Sequence, residues 1–468
     1  MSGDPLRALA SLAPEAWLVG GAVRDRVLGR DTADFDVTIA GAGAVEVVAR
    51  SLGKEAGGFV FELSEAFGLW RVVAHDRSWQ LDLLPLDGAT IEEDLARRDL
   101  TINAIAAPLG SAEYVDPFGG LEDLRARRLR AVSAVAFERD ALRTLRLARL
   151  ACELSFSVES ETLVLARSAT PRLADVAPER VFAEVKRVVC APAALDGLAL
   201  MDQIGATDVV LPELAALRGV DQSRFHHLDV SEHTRAVLAA AIALEDEPER
   251  LAGSSAAALV SHLELPLAHE LTRGQALRFG ALLHDIAKPL TRAVTPQGRV
   301  TFMGHDESGA TLASAILGRL RASERLRDHV AALTRHHLRL GFLVHEMPLA
   351  RRTVYDYLHR TAPVAVDVTV LSVADRLATR GENSEVAITK HLELARQLIG
   401  EALAWVADPP RPPVRGDELA RELGIRPGPV IGGLLAELEA ASFSGELATR
   451  EEAIERARDL IASGDGGH

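Results

Sequence analysis

Two carboxylates spaced two positions apart, Asp34 and Asp36 in DTADFDVTIA, are the first residues in this chain whose type and spacing suit chemistry. On a strand, residues i and i+2 share a face, so the two carboxylates converge while Phe35 turns away. Paired hard oxygens suit Mg2+, and a metal pair lowers the pKa of an attacking hydroxyl and steadies a pyrophosphate leaving group. Just upstream, WLVGGAVRDRVLG sets Gly20 and Gly21 between a strand and a helix start, where backbone amides can approach a triphosphate beside Arg24. Asp82, in the alternating run WQLDLLPL, is placed to add a third carboxylate from a neighbouring strand. Taken singly, a Gly-Gly pair is a turn and an Asp-x-Asp a solvated strand face; their order in the chain points to nucleotidyl transfer.

These groups need a scaffold. Residues 17 to 110 mix short β-rich runs (WLVGG, FDVTIA, LWRVVAH, WQLDLLPL) with helical stretches such as AGAVEVVARSLG, the rhythm of a small α/β or α+β sheet domain. From about residue 135 strand signals nearly vanish, and segments such as ALRTLRLARLACEL repeat apolar residues at three and four. The chain has 468 residues, 48% hydrophobic and only 4% aromatic, which predicts several domains with aliphatic, mostly helical cores. The expected class is α+β, a small α/β head followed by an extended, mainly helical remainder. Seams are expected near 130, near 218 and at ADPPRPPVRGDE, where Pro409, Pro410, Pro412 and Pro413 mark a turn or linker. The expected division is a head at 1–130, a helical neck at 131–218, a helical domain at 219–408 and a helical tail at 409–468. The last five residues, GDGGH, are expected to fray.

Cys152 and Cys190 form no CxxC pair, so neither a disulfide framework nor a cysteine metal site is expected. No uncharged apolar run reaches the roughly 18 residues of a membrane span. The start MSGDPLRALASL lacks the features of a signal peptide. The expectation is a cytoplasmic protein with no membrane association and no stable protein partner.

Histidine is concentrated. Of 15, only His75 precedes position 226 and His468 ends the chain; the other 13 lie between 226 and 391. Within that segment ALLHDIAKP sets His284 beside Asp285 on an expected helix, where neighbours differ by about 100° in direction and can flank one metal. Imidazole and carboxylate ligands suit a borderline divalent ion with open positions. With His233 of VSEHT and Asp375 of LSVADRLATRG, the order H…HD…D resembles the HD superfamily of metal-dependent phosphohydrolases. Lys288 could meet a phosphate oxygen, and His305, His336 and His337 could complete a second metal position or orient the ligands.

A second resemblance covers roughly residues 15 to 215. GGAVRD, the Asp34/Asp36 pair, EDLARRDLTINAIA, DPFGGLEDL, DALRTLRLARL and PERVFAEV occur in the order seen in bacterial tRNA nucleotidyltransferases and the related poly(A) polymerases. The resemblance implies a polymerase-β-like head carrying the metals, a neck that recognises the nucleotide, and helical body and tail segments that hold the acceptor arm of tRNA. It also implies that Arg98 and Asp99 hold the ribose and triphosphate. Beside it stands a physical argument. Asp140 and Arg143, one helical turn apart, face the same way. A carboxylate accepts from an exocyclic amine and a guanidinium donates to a ring nitrogen, the combination that cytosine and adenine present and uracil and guanine do not. Arg146 and Arg149 continue that face toward phosphates. One position departs from the family pattern: Arg139 stands where an acidic residue is common. Glu179, Arg180 and Glu184 are expected to brace the neck through ion pairs.

The expected activity is template-independent addition of C and A from CTP and ATP to the tRNA 3′ end, with Gly20, Gly21, Arg24, Arg98, Asp99 and the neck residues binding nucleotide. The alternatives are a CC-only or A-only enzyme, a poly(A) polymerase, or an HD phosphohydrolase whose head merely binds tRNA. The net charge of −15 disfavours nonspecific coating of RNA. Residues 123 to 187 carry 13 Lys plus Arg against 9 Asp plus Glu, so RNA binding is expected to be confined to an arginine-lined neck.

Overall fold

The computed structural model describes residues 4–111, 113–222, 228–379 and 384–463. His226, His227 and the GDGGH terminus lie outside the described residues. The chain forms two compact units, Met1–Val210 and Leu211–His468.

The first unit is built on a six-stranded mixed sheet. Its strands are β1 (Ala16–Val19), β2 (Asp34–Ile39), β3 (Gly58–Ser64), β4 (Leu69–Ala74), β5 (Gln80–Pro85) and β6 (Ala106–Pro108), in the order β3-β4-β5-β2-β1-β6. Only β2 and β5 run parallel. Helix α1 (Pro5–Leu12) starts on an Asp4 cap, and α2 (Gly21–Val27) follows the glycine pair. Helix α3 (Val45–Ala56) buries Val45, Val48, Ala49 and Leu52, a stripe at helical spacing, and ends on Gly57 in the left-handed region. Val72, Leu81 and Leu83 are buried on the strands, so one face of the sheet is core. The other face carries Asp34, Asp36 and Asp82. Beyond the sheet, α4 (Ile91–Leu95) leads into the Arg97-Arg98-Asp99 turn, and the rest of the unit is helical, including Arg143–Leu154 and Pro178–Cys190. Cys152 and Cys190 are not joined in a disulfide.

The second unit is almost entirely helical. Helices Val230–Glu245 and Arg273–Leu283 each open with a capping box, Asp229 with Glu232 and Thr272 with Gln275. Near its end, Val414, Leu419, Ile431, Leu434, Leu438 and Ile454 share a core of their own. No helix among the described residues is long and apolar enough to cross a membrane. The α+β class read from the sequence is the one observed, with a polymerase-β-like head and a mainly helical remainder.

Candidate functional sites

The strand alternation brings Asp34 and Asp36 to one face of β2. Asp36 is in register with Asp82 on the parallel neighbour β5, and Asp34 with Gln80. Asp34 accepts a hydrogen bond from Gln80 Nε2 at 2.9 Å. Asp82 is held on its far side by Arg71, through Nε at 2.6 Å and Nη2 at 2.7 Å. Asp36 has no such counter-charge in contact. Burial, reinforced by Asp34 and Asp82 and opposed by Arg98, pushes its carboxyl up to about 6. That is the environment of a carboxylate cluster that a divalent cation would stabilise.

Gly20 sits against this cluster with φ +69, a conformation that glycine adopts without strain. A Cβ here would lie 3.0 Å from Arg98 Nη1 and 3.4 Å from Asp36 Oδ2, so any side chain would fill the space between guanidinium and carboxylate. Arg24 of α2 forks onto its neighbour Asp25 and donates Nη1–H to Asn103 Oδ1 at 2.9 Å. Asn103 in turn donates to Asp99 Oδ1 at 3.0 Å, and Arg146 donates Nε–H to Asp99 Oδ2 at 2.8 Å. Asp99 is buried; desolvation works against its charge, yet Arg146, Asn103 and the Leu100 amide hold it well below the usual carboxylate range. Arg98 pairs with Asp94 at 3.0 Å. The glycine turn, the RRD turn and the neck helix thus form one continuous polar chain. Asn103 and Arg71 were not singled out from the sequence, although the INA of LTINA placed Asn103 beside the motif.

The neck differs from the helical reading. Asp140 is not on the helix with Arg143: it is an extended residue closing the short helix Ala136–Arg139, and the next helix begins at Arg143. The Asp140 side chain and main chain cap that break, accepting from Leu142 N at 3.1 Å and from Arg143 N at 3.1 Å. Its other carboxylate oxygen accepts from Arg180 Nη2 at 2.7 Å. Arg143 spends its terminal donors on the carbonyls of Arg97, Arg98 and Ala136, at 2.7, 3.2 and 2.8 Å. Arg149 does not continue an exposed face; it is buried between Glu184 and Glu153 at 2.6 and 2.9 Å. Of the expected braces, Glu184 and Arg180 make their ion pairs.

In the second unit, six side chains form two groups with ligand atoms within 4.8 Å of one another: His233, His284 and Asp375, and Asp285, His305 and His337. All six stand at helix ends. His233 is in the first turn of Val230–Glu245, and Asp375 in the last turn of Ala365–Ala378. His305 opens a helix after Gly304, and His337 closes Glu324–His336. His284 and Asp285 are not on a helix as expected: Arg273–Leu283 ends before them and a short helix restarts at Lys288, with Pro289 at its second position. That break turns the adjacent side chains toward different partners.

Asp285 lies between the groups. Its Oδ2 is 3.1 Å from His284 Nε2 and 3.7 Å from His233 Nε2, while its Oδ1 is 3.3 Å from His305 Nε2 and 3.9 Å from His337 Nε2. Asp375 is 3.0 Å from His233 Nε2. The Nδ1 atoms of His284, His305 and His337 each face a carbonyl three residues back, at 2.9, 2.7 and 2.7 Å. Such a bond fixes the tautomer that leaves Nε2 with a lone pair. The Nε2 atoms of His284 and His305 are buried with no aligned hydrogen-bond partner, and such atoms suit metal ligation. Desolvation disfavours charge on Asp285, yet His284 and Lys288 hold it well below the usual carboxylate range. Lys288 bridges Asp285 Oδ2 and Gln222 Oε1, 2.6 Å from each. This donor set fits divalent cations.

The other described histidines do not join this cluster. His336 receives a hydrogen bond from Arg339, His391 meets Ser372, and His262 and His329 surround the buried Asp367.

Comparisons with known proteins cover the segments that carry both sites. The poly A polymerase head domain matches residues 16–85 and 70–130, the probable RNA and SrmB-binding site of polymerase A matches 155–217, and the HD domain matches 230–380. The A-adding tRNA nucleotidyltransferase of Deinococcus radiodurans is 35% identical over 446 residues, covering 94% of each chain. The CC-adding tRNA nucleotidyltransferase of Thermus thermophilus is 35% identical over 454 residues, covering 94% of this chain and 92% of its own. The multifunctional CCA protein of Xanthomonas campestris is 32% identical over 456 residues, covering 93% and 99%. Among solved structures, a Thermotoga maritima CCA-adding enzyme complexed with tRNA has the same fold, with a TM-score of 0.61 at 18% identity over 97% of this chain and 94% of its own. With its head, RNA-binding and HD segments matched and relatives alike over nearly their whole length, this chain belongs to the family of bacterial tRNA nucleotidyltransferases.

Proposed function

We propose that the chain adds C and A from CTP and ATP to the 3′ end of tRNA in the cytoplasm, releasing pyrophosphate. The observation that carries this reading is Asp36 in register with Asp82, beside Asp34, against Gly20 and Arg98. Asp34 and Asp36 would hold Mg2+, which supplies Lewis acidity to the attacking hydroxyl and the leaving pyrophosphate. The chain's own groups orient the nucleotide: the glycine turn admits the triphosphate, Arg24 and Arg98 offer donors, and Asp99 and Arg146 hold the RRD turn in place. The four-segment division at 130, 218 and 408 is part of this reading, with the neck choosing the base and the tail supporting tRNA.

For base choice, Asp140 accepts the exocyclic amine and Arg143 donates to the ring nitrogen, exchanging its bond to the Ala136 carbonyl for the base. Arg180, already on Asp140, is the competing donor. Arg143→Ala and Arg180→Ala assayed with all four nucleotides separate the two: loss of discrimination against UTP and GTP identifies the reader. Arg149 is assigned to bracing the neck, not to phosphate.

We further propose that the HD cluster holds divalent cations, for which His233, His284 and Asp375 would supply one set of ligands and Asp285, His305 and His337 the other. An ion pair held in this way would make the unit a phosphohydrolase. Two relatives covering over nine-tenths of the chain are named as A-adding and CC-adding, which makes a partial enzyme the competing reading. Extending tRNAs that end before C, CC and CCA, with both nucleotides present, and sequencing the products decides between them. Complete CCA ends support the proposal; products that stop at CC, or gain A only after CC, establish a partial enzyme. The reading as a phosphohydrolase with a tRNA-binding head fails if Asp34→Ala abolishes addition while His284→Ala does not.

A further inference from the structure

The face of the sheet that carries the carboxylates does not stop at Asp82. In register across the strands, Asp36 pairs with Asp82, Asp82 with Arg71, and Arg71 with Phe61 on the outermost strand β3. The next row runs Asp34, Gln80, Val73 and Phe59. Residues opposite one another across a ladder project to the same side, so Phe59 and Phe61 lie on the carboxylate face. The intervening Val60 projects to the other side, where its methyl group occupies the space a Cβ on Gly53 of α3 would need. Phe59 is 60% exposed and Phe61 44%, with Leu63 beyond them at 45%. Phe59 meets the ring of His75 edge-on, with centroids 4.5 Å apart.

Two exposed aromatic side chains on one side of an edge strand, with a third exposed apolar residue, Leu63, next to them in the chain, are uncommon on a surface that binds nothing. Three strand spacings separate Phe61 from Asp36, about 14 Å. We propose that Phe59 and Phe61 form an aromatic shelf that stacks the unpaired bases of the RNA acceptor end behind the reacting 3′ hydroxyl. The occupant follows from continuity, because the shelf and the carboxylates are one in-register surface. Bases stack on aromatic rings with little regard to sequence, which suits an end that changes as it grows. Pairing of β3 with a second copy of the chain is opposed by the irregularity at Glu62 and Ser64 and by the Glu62 charge at the edge.

The inference rests on the nucleotide-addition reading, and the test keeps the two apart. The full chain carrying Phe59→Ala and Phe61→Ala is compared with wild type for CTP and ATP addition to a tRNA lacking its terminal triplet. A tRNA ending in CC, with 2-aminopurine at its first unpaired nucleotide, reports stacking by fluorescence quenching. The shelf predicts that the double variant raises KM for tRNA about tenfold or more, leaves KM for CTP unchanged and loses the quench. Phe59→Trp with Phe61→Trp retains the quench, whereas Phe59→Leu with Phe61→Leu does not. If wild type extends no tRNA, the nucleotide-addition reading fails. If wild type extends tRNA and the alanine variant shows unchanged KM and quench, the shelf is wrong. A change of oligomeric state without a change in KM also overturns it.

Discussion

Arg146 donates its Nε–H to Asp99 Oδ2 at 2.8 Å, and through Asp99 and Asn103 the neck helix is joined to Arg24 at the glycine turn. The Asp99 carboxylate is 5% exposed, so removing its cation leaves a buried charge without its strongest partner. Arg146→Ala is expected to destabilise the first unit by about 2 kcal/mol. The figure is below the full cost of orphaning a buried ion because Arg146 is 37% exposed and water can enter. Arg146→Lys recovers only part, since an ammonium cannot reproduce the directed Nε–H bond. Urea unfolding followed by the loss of head structure measures this; a wild-type midpoint for Arg146→Ala would make the pair a bystander.

The HD cluster gives a prediction independent of turnover. Chelator-stripped protein titrated with Mn2+ is expected to bind two ions and to gain about 2.7 kcal/mol of stability per ion at a hundredfold excess over Kd. Asp285→Asn weakens both ions because one carboxylate faces both groups, whereas His337→Ala weakens one. Calorimetry reads the stoichiometry, and two full-strength sites in Asp285→Asn would contradict a role for this carboxylate in both.

The buried group around Asp367 predicts a pH dependence. Burial, only partly offset by Asp367 and reinforced by Arg273, His262 and Arg325, holds the His329 imidazole down to about 4. The unfolded chain therefore takes up this proton near 6.5 while the folded chain refuses it until about 4. Stability from this group is complete above 6.5 and is lost as pH falls toward 4, with about 2 kcal/mol gone at pH 5. Asp367, held down to about 2 by His262 and Arg273 despite its burial, loses its contribution at lower pH, as it falls through 3.8 toward 2. Thermal midpoints at pH 7.5 and pH 5 should fall less for His329→Gln than for wild type. Parallel falls would show that the imidazole carries no proton linkage.

What the sequence revealed was local. Strand alternation sufficed to put Asp34 and Asp36 on one face, because a period of two is fixed by backbone geometry. The partnership with Asp82 depended on β2 and β5 being neighbours, and Arg71 on a third strand could not be paired from one sequence. Helical spacing misplaced Asp140, because side-chain capping at that residue competes with helix and breaks it. It also exposed Arg149, whose carboxylate partner Glu184 lies on another helix. In the histidine-rich segment the choice of His337 over its neighbour His336 was decided by where the helix Glu324–His336 ends. The H…HD…D order was readable as a pattern; the place of Asp285 between the two groups came only with the packing of helix ends.

Nucleotide addition to tRNA by this chain depends, on the proposed function, on the head's carboxylates Asp34 and Asp36. The most direct test is the incorporation of CTP and ATP into tRNA lacking its terminal triplet, comparing wild type with Asp36→Asn and sequencing the 3′ ends. Growth by the wild type is expected to stop at CCA, and Asp36→Asn is expected to lose about a thousandfold or more of the incorporation rate. Undiminished incorporation by Asp36→Asn, or a long A tail made by wild type, would contradict the proposed function.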